Sequence, residues 1–156
     1  MSSVEELLSK LLHPVHLLFV KSDRRQAEVL QRQIQQNYEC VTDWVASGAE
    51  ALRCLAQSSY DLLLLESTPQ DMSAAAILRQ VKSAAPALPV VLIFERPSES
   101  IAQEVAAVGV VCTLIEPLKQ SDIDDLFRVF KIRVRSRENS SYLESRRNSF
   151  CTPVSA

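Results

Sequence analysis

Six residues of this 156-residue chain stand where chemistry could be done: Lys21, Ser22, Asp23, Glu66, Glu95 and Glu116. Each lies at the end of an apolar run. Val15 to Val20 ends in Lys21-Ser22-Asp23, and Leu62 to Leu65 ends in Glu66. Pro89 to Phe94 ends in Glu95, and Val110 to Ile115 ends in Glu116-Pro117. Carboxylates gathered around one ammonium allow two kinds of chemistry. Lys21 can pair internally, with Glu66 as the expected partner, or the acidic cluster Glu66, Glu95 and Glu116 can hold a cation. Both need the runs to end at the same place.

The remaining chain offers little other chemistry. Only Gly48 and Gly109 are glycines, so no Gly-rich loop can let backbone approach a phosphate, and Walker and dinucleotide fingerprints are missing. His13 and His16 fall at the start of the first run, away from the charged ends, so no Ser/His or Cys/His dyad assembles with them there. Cys40, Cys54, Cys112 and Cys151 lack metal-ligand spacing and read as reduced, buried thiols. No run reaches the 18 or more apolar residues of a membrane span, and the start lacks a basic signal region. A cytoplasmic location is the expectation.

The elements that must position these residues follow from the pattern. Continuous apolar runs separated by helical periodicity read as parallel strands buried on both faces. The order is strand then helix, five times over. Strands are expected at Val15–Val20, Glu39–Thr42, Leu62–Glu66, Pro89–Phe94 and Val110–Ile115. Asp23 caps a helix to about Asn37, followed by helices over Ala49–Ala56 and Ser73–Lys82. A fourth helix opens at Ser98 or Ser100 and stops at Gly109. A fifth is capped by Asp122, with Ile123, Leu126, Phe127 and Phe130 as its apolar stripe. The architecture is α/β: a flavodoxin-like, doubly wound (βα)₅ parallel sheet of order 2-1-3-4-5. In such a sheet the carboxyl ends of the strands form one edge, where ligands bind.

Two segments lie outside this unit of residues 15–131. Residues 1–14 are expected to form an N-terminal helical extension: Ser3-Val4-Glu5-Glu6 fits a capping box for a short helix carrying Val4, Leu7, Leu8, Leu11 and Leu12. It either packs on the domain or meets a partner. Residues 132–156 form a basic, Ser-rich linker or disordered tail. From residue 128 onward seven Lys and Arg face two Glu, a balance of +5, so residues 1–127 carry -7 of the net -2. Aromatic residues do not interleave with Arg133, Arg135 and Arg137, so nucleic acid is not an expected partner. Arg146-Arg147-Asn148-Ser149-Phe150 resembles the substrate pattern of basophilic kinases and Thr152-Pro153 a proline-directed site, making Ser149 and Thr152 candidate phosphosites.

Over about Val15 to Lys131 the chain resembles the receiver domain of two-component response regulators. Leu88-Pro89 before the fourth strand, Gly109 before the fifth, Glu116-Pro117 after it and Ser47-Gly48-Ala49-Glu50-Ala51-Leu52 carry the resemblance in register. The family places a phosphoacceptor Asp after strand three, two acidic Mg²⁺ ligands after strand one, a Thr or Ser after strand four and a Lys before the Pro after strand five. Residue by residue, the resemblance implies that Glu66 holds the phosphoacceptor position and Lys21 and Ser22 the acidic pair, with Asp23 retained. Phe94 holds the Thr/Ser position, Glu116 the Lys position and Thr113 the aromatic switch position. These departures imply a pseudo-receiver: not an enzyme, without cofactor or metal. Its expected action is phosphorylation-independent signalling through protein partners, signalling or output proteins, on the face of helix four, strand five and helix five. A homodimer is a further partner reading. Two alternatives stay open: a regulator locked active by Glu66 as a phosphomimic, or a small-ligand sensor using the former phosphorylation crevice.

Overall fold

A computed structural model describes residue 4, residues 15–109 and residues 112–129. It contains one five-stranded sheet. The order is β1 (Val15–Val20), α1 (Arg24–Gln35), β2 (Cys40–Val45), α2 (Gly48–Gln57), β3 (Leu62–Glu66), α3 (Ala74–Ala84), β4 (Val90–Phe94), α4 (Glu99–Val108), β5 (Cys112–Ile115) and α5 (Gln120–Val129). All neighbouring strands pair in parallel, in the order β2-β1-β3-β4-β5. The expected doubly wound architecture is the observed one. The segment 1–14 apart from Val4, the tail 132–156, Phe130, Ser149, Thr152, His13 and Cys151 lie outside the described residues. Val4 is helical and exposed.

Alternation along the strands divides the core into two layers. Leu17, Phe19, Leu62, Leu64, Val91 and Ile93 face α1 and α5, meeting Leu30, Ile34, Ile123, Leu126 and Phe127. Leu18, Val20, Leu63, Leu65, Leu92 and Phe94 face the other way, onto α2, α3 and α4 through Ala51, Ile77, Leu78, Val81 and Val105. Successive strand side chains point to opposite faces and both faces are covered, which is why β4 and β3 up to Leu65 are apolar.

The ends of the helices follow local side-chain chemistry. Asp23 caps α1 by accepting from the Arg25 and Gln26 backbone N–H groups, and Ser47, Ser73 and Ser98 cap α2, α3 and α4. Gly109 closes α4 with φ 104°, a left-handed conformation that glycine adopts without a Cβ clash. Several boundaries shift by one or two residues, and two differ by more. β2 runs to Val45 because its whole length pairs with β1, from Val15 opposite Cys40 to Val20 opposite Val45. α5 begins at Gln120, and Asp122 lies inside its first turn, with its carboxylate reaching back to the Lys119 backbone N–H at 2.8 Å. Cys112 is fully buried in β5 and disulfide-bonded, so the reduced-thiol expectation fails at that position.

Candidate functional site at the carboxyl edge of the sheet

The parallel sheet brings the ends of β1, β3, β4 and β5 to one edge, and the alternation decides which side chains meet there. Lys21 stands two residues past Phe19 and Glu66 two past Leu64, so both continue rows that face α1 and α5. Glu116 stands two past Leu114, on the same side. Phe94 continues the opposite row and is packed in the α2–α3–α4 core, so it does not line the side that holds Lys21. Thr113 also alternates away from that side and is half-buried.

Lys21 is the buried charge of this edge, 4% exposed. Its ammonium is ion-paired with the Glu116 carboxylate and donates to Gln26 Oε1 at 3.3 Å. The backbone on either side is held by β2: Lys21 N–H donates to the Val45 carbonyl at 3.1 Å, and the Trp44 indole Nε1 donates to the Lys21 carbonyl at 2.8 Å. The expected pair between Lys21 and Glu66 is therefore corrected to Lys21 with Glu116. An ammonium this deeply buried needs its donors satisfied by groups that are themselves shielded, and Gln26 of α1 and the largely buried Glu116 meet that need. The Glu66 carboxylate instead accepts from the Ser22 hydroxyl at 2.7 Å. Its pKa is raised above the ordinary value of 4.5, chiefly by burial. The Ser22 hydrogen bonds and the Lys21 charge pull it back, and the Glu116 charge adds a smaller upward push.

The donor set does not suit the divalent cation that the fold implies. Mg²⁺ takes near-octahedral oxygen ligands. Here an ammonium occupies the floor, Asp23 spends its Oδ1 on the N-terminus of α1, and Glu66 is engaged by Ser22. Glu95 is exposed and stands apart from this network. Among the described residues no three His, Cys, Asp or Glu side chains converge on one point. The loop after β3 is used structurally. Asp71 accepts from the Gly48 and Ala49 backbone N–H groups at 2.8 and 3.0 Å, and these bonds hold its pKa below the usual carboxylate range.

Sequence reasoning missed two polar groups elsewhere. At the opposite edge, Asp43 Oδ2 lies 2.7 Å from both His16 Nε2 and the Tyr60 hydroxyl. Burial and the Asp43 carboxylate push the Tyr60 phenol up. Tyr60 and Asp61 also line a cavity of about 460 Å³ with Leu55, Pro86 and Pro89. The signal was the pairing of β1 with β2, which sets Asp43 opposite Leu18, diagonally beside His16. Between α1 and α5, the Tyr38 hydroxyl donates to Asp124 Oδ1 at 2.5 Å and the Tyr38 ring lies 4.2 Å from that of Phe127. Along α4, β5 and α5, where the partner face was expected, Val105, Ile123, Leu126 and Phe127 belong to the core, while Ile101, Val108 and Thr113 are half-buried. Ile115, at the end of β5, is 53% exposed.

The model of the response regulator receiver domain family matches residues 17–128. Among solved structures, the signal receiver domain of an HD domain-containing protein from Pseudomonas fluorescens Pf-5 superposes with a TM-score of 0.71 at 16% identity, covering 86% of this chain and 100% of that one. A CheY-like receiver domain protein from Methanospirillum hungatei JF-1 gives a TM-score of 0.67 at 14% identity, covering 85% and 96%. Chemotaxis response regulator CheY4 of Vibrio cholerae gives 0.66 at 16% identity, covering 76% and 99%. At these identities the likeness is one of fold. The autoinducer 2 sensor kinase/phosphatase LuxQ of Vibrio vulnificus YJ016 is 24% identical over 116 residues, 74% of this chain. The chain spans 13% of that relative's length.

Proposed function

We propose, from the premise that this chain belongs to the response regulator receiver domain family, that it is a receiver domain of two-component signalling working without phosphoryl transfer, as a non-enzymatic protein-interaction module. The observation that carries this reading is the reversed charge arrangement: an ammonium just after β1 and a carboxylate just after β5, joined in a largely buried pair. Catalysis of phosphoryl transfer rests on cationic groups that neutralise charge developing on the phosphoryl oxygens. Here the one buried cation among the described residues is consumed by Glu116, and Glu66 carries an extra methylene at the acceptor position. The module then presents one conformation to its partners through exposed side chains of α4, β5 and α5, among them Glu104 and Ile115.

The test is acetyl phosphate with Mg²⁺, read by intact mass. The expected result is unmodified protein. A stoichiometric, Mg²⁺-dependent gain of one phosphoryl group overturns the reading. Glu66→Ala separates it from the phosphomimic alternative, because partner binding survives the substitution in an adaptor and is lost when Glu66 acts as the mimic.

A further inference from the structure

The amino edge of the sheet, opposite Lys21, holds the cavity of about 460 Å³, walled by the α2–β3 and α3–β4 loops. Pockets for small molecules run from about 300 to 1,000 Å³ and combine an apolar wall with a few polar groups. Two helices end on this one. Ser58, the C-cap of α2, and Ala85, the C-cap of α3, both line it. A helix leaves its last carbonyls without intrahelical donors and carries partial negative charge at that end. The last turn of α2 has no basic residue to offset this charge, and Lys82 in the last turn of α3 is not part of the wall.

The lining adds a full charge of the same sign. Asp61 is exposed, and its Oδ2 accepts the His16 backbone N–H at 2.8 Å. Its Oδ1 takes no hydrogen bond among the described residues. Beside it, the Tyr60 hydroxyl donates to Asp43 Oδ2 at 2.7 Å, which fixes the ring and enriches the π face that attracts cations. Leu55 and Leu88 supply apolar wall, and no Lys, Arg or His of the described residues lines the cavity. Two helix ends, a carboxylate and an aromatic ring thus set a negative potential over hydrocarbon with nothing in the wall to neutralise it. The complement is a positive charge on an apolar body.

We propose that this cavity binds a small organic ammonium ion. The nitrogen lies at Asp61 Oδ1 and the carbonyl ends of α2 and α3, and the hydrocarbon body rests on Tyr60, Leu55 and Leu88. The site is separate from the Lys21 edge and does not rest on the interaction-module reading.

Amide NMR of the full chain, titrated with phenethylammonium, phenethyl alcohol and phenylacetate, tests it, because the three probes share one skeleton and differ in charge. The expected result is saturable shifts between Ser58 and Asp61 and between Ala84 and Leu88, tightest for the ammonium and absent for the carboxylate. Asp61→Asn keeps an acceptor for the His16 N–H, removes the charge, and weakens the ammonium about fivefold. Equal binding of the three probes, no saturable shift at these amides, or undiminished binding by Asp61→Asn overturns the proposal. Should Asp61→Asn lose its folded spectrum, Ala87→Trp decides by filling the cavity from the exposed α3–β4 loop. Loss of ammonium binding in that variant supports the site, and retained binding overturns it.

Discussion

Lys21 and Asp124 are both taken out of water, and the two sites do it differently. At the carboxyl edge Lys21 is buried against a carboxylate of opposite sign, Glu116, with Gln26 taking a second donor. Between α1 and α5, Asp124 is buried against neutral donors, the Tyr38 hydroxyl and the Gln120 amide at 2.5 and 3.0 Å. An ion pair ties two distant strands, β1 and β5, through one strong contact that fails badly when one member is removed. A carboxylate held by neutral hydrogen bonds distributes the cost over several weaker contacts. The first arrangement is a lock between sheet ends; the second is a seam between helices.

The comparison breaks most visibly at Lys21. Lys21→Met removes the ammonium, keeps the side-chain length and leaves Glu116 beside Glu66 without compensation. Breaking a largely buried pair from one side costs on the order of 3 kcal/mol. Lys21→Met/Glu116→Met removes both charges, and the double variant recovers most of that loss, because an apolar pair of similar volume often matches a buried ion pair. Urea unfolding of wild type, both single variants and the double variant completes the cycle. A double variant as unstable as the sum of the singles would show that the two side chains act separately.

The seam answers to a smaller change. Tyr38→Phe keeps the ring on Phe127 and removes only the hydroxyl, leaving Asp124 Oδ1 with the Gln120 amide alone. Depriving a buried acceptor of its donor costs about 1–3 kcal/mol. Denaturant midpoints with an unchanged m-value check it. A loss equal to that of Lys21→Met would erase the distinction between lock and seam.

Legibility in the sequence divides along the same line. Strand ends were readable because a continuous apolar run finishing in a charge, as Val15–Val20 does at Lys21, fixes both the element and its edge. The common edge of Lys21, Glu66 and Glu116 followed from that pattern, while their shared side of the sheet emerged from the alternation of the folded strands. The choice between Glu66 and Glu116 as partner was not readable. It depends on burial and on the Ser22 hydroxyl, which only the folded chain brings to Glu66. Asp124 and Asp125 lie off the apolar stripe of α5, yet the structure buries both. A helical pattern identifies the face that meets the sheet, but says nothing of what covers the other face. Tyr38, 86 residues away, carried no signal for its bond to Asp124.

The smallest effects separate two carboxylates at the carboxyl edge by the sign of their pH response. Glu66 has its folded pKa raised above 4.5, so the folded chain holds that proton more tightly than the unfolded chain. Its contribution to stability is best at acid pH and declines as pH rises from about 4.5 through the raised value. Asp71 is the reverse. Its folded pKa lies below 3.8, so its contribution is present above that pH and is lost as pH falls through the lowered value. Relative to wild type, Glu66→Gln should therefore gain stability as pH climbs from about 4 to 7. Asp71→Asn, which loses the carboxylate that holds the Gly48 and Ala49 N–H groups, should show a deficit at neutral pH that narrows below about pH 4. Urea midpoints at about pH 3, 4.5 and 7 give both differences in one experiment. Curves that run parallel to wild type for both variants would mean that neither carboxylate is coupled to folding, and the lock at this edge would reduce to Lys21 and Glu116 alone.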